Sequence, residues 1–166
     1  MKRIRIAFLG LISAILFLAD PAAQGCRADE PTADIVEKLA QKFLENLGAS
    51  KVDVLVRSVS LPWYNGGQIE ESEEALKTTL TTMVKWYDEH EGATRWKILA
   101  IGKYKDLKDK ESSQLGPKDR KKMDAFLAAD DWLVIVGKVV DGDVRPSLYL
   151  LAKHRKGKLG IVGAHK

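Results

Sequence analysis

Two periodicities divide this chain, and together they predict an α+β fold. Before Gly92 the apolar residues recur every three to four positions, the spacing of helices. From Arg95 onward they alternate along the chain. Those runs are broken at Asp141-Gly142-Asp143 and Lys156-Gly157, which have the chemistry of tight hairpin turns. Composition adds a third bound. At 166 residues, 45% hydrophobic and 30% charged, the chain suits one globular core rather than two and is too apolar for disorder.

The first element is an address. Lys2, Arg3 and Arg5 precede an apolar run from Ile6 to Ala19, followed by Pro21 and the small residues Ala22, Ala23 and Gly25. This is the pattern of a secretory signal peptide, too short for a comfortable bilayer crossing. The expected organisation is a signal over 1–25, a disordered segment over 26–33 and one domain over 34–166. Secreted or periplasmic localisation follows. Gly25-Cys26 also resembles a lipoprotein box, so a lipid anchor at Cys26 is the alternative, although Ala23 stands where that box usually carries Leu. Removing the signal takes the net charge from +4 to +2, because three basic residues and Asp20 leave with it.

In the domain, Asp34 and Glu37 have capping-box spacing and open a helix to Leu47. Ile35, Leu39, Phe43 and Leu47 form its apolar stripe, and Gly48 is placed to end it in a left-handed conformation. Val52 to Val59 fits a short helix or a strand. Leu61-Pro62-Trp63-Tyr64-Asn65-Gly66-Gly67 reads as a turn. A long helix starts near Ser72 with Glu70, Glu71, Glu73 and Glu74 at its positive end. It buries Leu76, Leu80, Met83, Val84 and Tyr87 and stops at Glu91-Gly92. Arg95 to Lys105 reads as a strand with Trp96, Ile98 and Ala100 on one side and Leu99 and Ile101 on the other. The stretch 106–114 reads as an exposed loop, and Gly116-Pro117 starts a short helix toward Phe126. Three strands follow: Asp131–Val140, Val144–His154 and Lys158–Ala164.

The order of helix, short apolar segment, aromatic-Pro-Gly hairpin, long helix and terminal sheet resembles the nuclear transport factor 2-like superfamily. Ketosteroid isomerase and SnoaL-type cyclases belong to the same group. The likeness covers about Asp34 to His165 and rests on element order. It implies a cone, with a curved antiparallel sheet wrapped around N-terminal helices over an open-ended pocket. The family's isomerase machinery is not matched. The hairpin offers Trp63, Tyr64 and Asn65 with no carboxylate before Glu70, and Phe43 stands where a phenol would be needed.

Other chemistries find no support. One Cys excludes an internal disulfide and a Cys-based zinc site, and three scattered His make a metal cluster improbable. No Gly-x-Ser-x-Gly elbow, Walker loop or dinucleotide fingerprint occurs, so neither a cofactor nor a metal is expected. Asp141-Gly142-Asp143 reads as a turn, because it lacks the other ligands of a calcium loop. Charge is uneven, with net −7 over residues 29–92 and net +8 over 93–166. The basic run Lys118, Arg120, Lys121, Lys122 has no interleaved aromatic and reads as a solvated face rather than a nucleic-acid site.

Register across the Asp141–Asp143 hairpin separates two apolar faces. One holds Trp132, Val134, Val136, Leu148, Leu150 and Ala152, continued by Leu159, Ile161 and Gly163. The other holds Leu133, Ile135, Val139, Tyr149 and Leu151. Helices can cover only the first. A second subunit is the expected cover for the other, with the 106–126 segment as the alternative. The expected site is an apolar cleft on the first face, lined by Trp132, lipped by Trp63 and Tyr64 and within reach of His154. It would hold a small apolar molecule or a protein partner without transforming it. A cyclase, isomerase or hydrolase with an unfamiliar catalytic set is the competing reading.

Overall fold

Helix α1 (Ala33–Gly48) buries Val36, Ala40, Phe43, Leu44 and Leu47. Phe43 and Leu47 are buried as expected; the stripe takes in Val36, Ala40 and Leu44 beside them and leaves Ile35 half exposed. Thr32 precedes the helix without a side-chain cap, and Asp34 lies in the first turn, where the macrodipole favours it. At the other end Ser50, not Gly48, takes the left-handed conformation, at φ 53°. The Ser50 amide donates to the Leu47 carbonyl at 3.1 Å and the Lys51 amide to Asn46 at 3.0 Å, closing the helix as a Schellman motif.

The computed structural model describes residues 30–90, 96–110, 115–140 and 142–166. The expected signal peptide, Cys26, the expected stop at Glu91-Gly92, the 111–114 part of the expected loop and Asp141 lie outside these. The segment before α1 departs from expectation. Pro31 is buried, and the Glu30 carboxylate pairs with Lys103 Nζ at 2.8 Å, so residues 30–33 are fastened to the domain.

Helix α2 (Val52–Ser58) resolves the ambiguous apolar segment and leads directly into β1 (Val59–Asn65). Most of the expected turn is therefore strand. Only Gly66 and Gly67 turn, at φ 56° and 103°, joining β1 to β2 (Gln68–Glu70). Positive φ at both central residues is what a two-residue hairpin needs. In α3 (Glu73–His90), the Ser72 hydroxyl caps the start by accepting the Ala75 amide at 3.2 Å. Leu76, Leu80, Val84 and Tyr87 are buried as their spacing requires.

Strand β3 (Trp96–Lys103) carries a bulge between Ile98 and Ala100. The extra residue reverses the alternation, so Trp96, Ile98 and Ile101 share one face while Ala100 packs on the other. Two short helices follow, α4 (Tyr104–Leu107) and α5 (Pro117–Asp124). Strands β4 (Trp132–Val140), β5 (Asp143–Arg155) and β6 (Lys158–His165) complete the sheet. The described residues form six strands in the order β2-β1-β6-β5-β4-β3. All neighbours are antiparallel except β1 and β6, which run parallel, so the sheet is mixed.

The two-face reading of β4 and β5 holds. Trp132, Val134, Val136, Leu148, Leu150 and Ala152 pack on α1, α2 and α3 in the larger core. A bulge between Leu151 and Ala152 moves Gly163 to the opposite face and brings Ala164 inward. At Gly163 a Cβ would lie 2.7 Å from Tyr64 Cβ and 2.8 Å from the Tyr64 carbonyl oxygen, so only glycine lets β1 approach β6 there. On the outer face Leu133, Ile135, Tyr149 and Leu151 are buried beneath Tyr104, Leu107, Leu115, Met123 and Leu127. Residues 104–110 and 115–127 cover this face within one chain. The reason for expecting a second subunit across it is thereby removed.

Candidate functional site

The four residues expected to form a site do not meet. Trp63 is fully buried in the larger core and stacks on Phe43, with centroids 6.1 Å apart. Tyr64 follows it on the strand, points to the other face and packs on Phe126 at 5.2 Å. Adjacent strand residues face opposite ways, so the two rings cannot form one lip. Trp132 is buried in the larger core, with Lys103 Nζ over its ring at 4.4 Å. His154 is exposed near the β5–β6 turn.

The cleft lies elsewhere. A volume of about 470 Å³ opens between α3 and the end of the sheet where β1, β5 and β6 come together. Its apolar part is Met83, Trp86, Tyr87, Leu148 and Ala164. Thr78, Thr79, Thr82 and Asn65 give the polar lining, and Gly66, His165 and Lys166 complete it. Trp86 and Tyr87 meet edge to face, centroids 5.1 Å apart at 83°, and Tyr87 meets Trp96 the same way at 4.9 Å. A cation–π contact places Lys166 Nζ over the Trp86 ring. Sequence reasoning read Trp86 as packing and passed over the threonines. The available signal was spacing: Thr78, Thr82 and Trp86 are four apart and share one helix face.

His165 ends β6 beside this cleft, but its imidazole turns to the outer face. Nε2 lies 3.6 Å from Asp119 Oδ1 on α5, and the ring sits among Tyr64 and Tyr149 at 6.2 and 6.1 Å. Nδ1 is buried without a hydrogen-bond partner, as is the Tyr64 hydroxyl. Burial pushes the imidazole below its usual range. Asp119 pulls the other way, and Lys122 adds to the lowering. Burial, reinforced by Asp119, raises the Tyr64 and Tyr149 phenols. All three groups are held neutral near pH 7, at a place where the solvent needed to charge them is excluded.

A pH dependence follows. Unfolded, the imidazole takes its proton near 6.5; folded, it does so only at lower pH. Below 6.5 the unfolded chain binds more protons, so this contribution is complete above that value and is lost as pH falls. The urea midpoint of His165→Gln is therefore expected to fall less than that of the parent between pH 6.5 and about pH 5, above the main carboxylate range. Parallel declines would show that His165 does not carry the effect.

Among the described residues no group of His, Cys, Asp and Glu side chains is arranged to hold a metal ion. No described helix is long and apolar enough to cross a membrane. The chain matches no protein-family model and no curated protein. Solved structures with a similar chain trace include an NTF2-like protein from Cytophaga hutchinsonii. It has 12% identity, a TM-score of 0.40 and coverage of 82% of this chain and 88% of that one. Aln2 from a Streptomyces species has 9% identity, a TM-score of 0.44 and coverage of 81% and 90%. A protein from Catenulispora acidiphila has 11% identity, a TM-score of 0.37 and coverage of 78% and 86%. The chain is α+β by its own elements, a curved mixed sheet with α1, α2 and α3 against one face, and is similar to an NTF2-like structure.

Proposed function

We propose that the protein is a non-catalytic binder of a small, mostly apolar molecule held in the cleft between α3 and the ends of β1 and β6. The observation that carries this is the character of the lining. Apolar groups from α3, β5 and β6 form the wall, threonines form the rim, and no Asp or Glu side chain is among the lining residues. A few polar groups around an apolar hollow of this size suit retention of a ligand. An enzyme would be expected to gather desolvated ionisable groups toward the ligand. Here the desolvated histidine faces Asp119 on the far side of the sheet. Export of the protein belongs to the same proposal and rests on the sequence pattern from Lys2 to Ala19.

Filling the cleft tests the reading. Thr82 is exposed on the rim, so Thr82→Trp should leave the thermal midpoint unchanged. Affinity for the fluorescent apolar probe phenylnaphthylamine should fall at least about tenfold, equivalent to 1.4 kcal/mol. Undiminished probe binding in this variant would overturn the cleft as the site.

A further inference from the structure

We propose that the molecule this cleft takes is an organic amine: an apolar body carrying an ammonium group that rests on Trp86, where the Lys166 ammonium now lies. The proposal rests on the cleft being a ligand site and names the chemistry of its occupant.

Three observations point to a cation. The first is the contact already made. Lys166 Nζ lies over the Trp86 ring, so the face of an indole lining the cleft already holds a positive charge. The negative face of an indole is the best aromatic surface for an ammonium. Lys166 thus occupies the position that a free amine would take.

The second is the hydrogen-bonding sense of the rim. The Thr78 hydroxyl donates to the Glu74 carbonyl at 3.0 Å and the Thr82 hydroxyl to the Thr78 carbonyl at 3.0 Å. The Thr79 hydroxyl donates to Glu70 Oε1 at 3.3 Å. Each hydroxyl has one proton, and each proton is spent. What these oxygens can still offer a ligand is lone pairs. At these three oxygens a ligand's polar end must therefore donate, and an ammonium has donors only. A carboxylate brought to the same three hydroxyls would meet acceptors.

The third is the field at the mouth. A neighbouring hollow shares Thr78 and Thr79 with the cleft and is walled by Glu70 and Glu74. Carboxylates beside the entrance raise the local concentration of a cationic ligand and disfavour an anionic one.

The test uses three probes with one ring system: naphthylmethylamine, its neutral counterpart naphthylmethanol, and naphthoic acid. Each is titrated into the protein while the indole N–H resonance of Trp86, assigned with Trp86→Phe, is followed by NMR. The amine is expected to shift that resonance and to bind more tightly than the alcohol or the acid. Lys166→Ala should raise amine affinity roughly two- to fivefold, the effect of removing one competing cation–π contact at an exposed site. It should leave the alcohol unchanged. Equal binding of amine and alcohol overturns the cation while leaving the cleft as a ligand site. So does tight binding of the acid that is lost in Lys166→Ala. If no probe moves the Trp86 resonance, the amine proposal and the cleft reading both fall.

Discussion

Replacing Trp63 by alanine is expected to cost about 3–5 kcal/mol of folding stability, the range for truncating a buried large aromatic. The size follows from position. The indole is fully buried, stacked on Phe43 of α1, and belongs to the core that joins the helices to the sheet. Removing it leaves a cavity bounded by elements that cannot easily collapse, since β1 is held against β6 by the close approach at Gly163. The indole Nε1 has no hydrogen-bond partner, so no polar bond is lost and the penalty is one of packing. Urea denaturation checks the magnitude, and probe binding checks the role. A variant that kept its stability and lost affinity for apolar probes would return Trp63 to the rim of a site.

Breaking the buried pair Lys153–Asp131 should cost as much from either side. Nζ lies 3.2 Å from Oδ2, with side chains 8% and 14% exposed. Asp131 also accepts the Ala128 amide at 2.7 Å, and Lys153 donates to the Phe126 carbonyl and lies over its ring. Asp131→Ala leaves an ammonium buried without its counter-charge and removes the acceptor from the turn, for an expected loss of about 3–5 kcal/mol. Lys153→Met keeps the stem volume but leaves the Asp131 carboxylate buried without a counter-charge and the Phe126 carbonyl without its donor, for a loss of similar size. The double variant Lys153→Met, Asp131→Asn removes both charges and keeps an acceptor for the Ala128 amide, so it is expected to recover most of the loss. Denaturation of the two single variants and the double variant in parallel gives the comparison. A double variant no more stable than either single one would mean that the charges themselves hold this corner together.

The strand faces were legible because their signal is arithmetic. Once Asp141-Gly142-Asp143 is a hairpin, pairing fixes which of Trp132, Leu133, Val134 and Ile135 look the same way. What bulges do is not written in alternation. At Ile98/Ala100 and Leu151/Ala152 one extra residue reverses the count, and Ile101 and Gly163 were accordingly placed on the wrong faces. The first turn of the α1 stripe was misread for a related reason, while Phe43 and Leu47 are buried as expected. Ile35 and Val36 are both apolar, and only tertiary contact chooses between adjacent phases. Covering of the outer face was legible only as an alternative. In the 104–127 segment the apolar residues Leu107, Leu115, Met123 and Leu127 are widely spaced among charges, a pattern without regular period.

The candidate site was the least legible part. Trp63-Tyr64 drew attention as exposed-looking aromatics next to Gly66-Gly67, yet a strand ending in a hairpin buries one ring on each face. The cleft instead brings together Thr82 and Trp86 on α3 with Leu148 and Ala164 on the sheet. Those residues are distant in sequence, and their meeting depends on how α3 crosses strand ends, which periodicity does not report.

The strand order has a consequence for assembly. β6 lies between β5 and β1, so the β1–β2 hairpin reaches the rest of the sheet only through it. Val59 pairs with Ile161 and Tyr64 with Gly163, partners roughly a hundred residues apart, and closing a loop of that length costs about 4 kcal/mol in chain entropy beyond a constant. Strands β3, β4 and β5 can zip by antiparallel pairing, while β1 and β2 wait for a neighbour. Contacts of such long range make for slow folding. The wall of the cleft, with Asn65 and Gly66 on one strand and Ala164 on the other, comes into being with that last pairing. A chain that has not placed β6 has half of a sheet and no cleft.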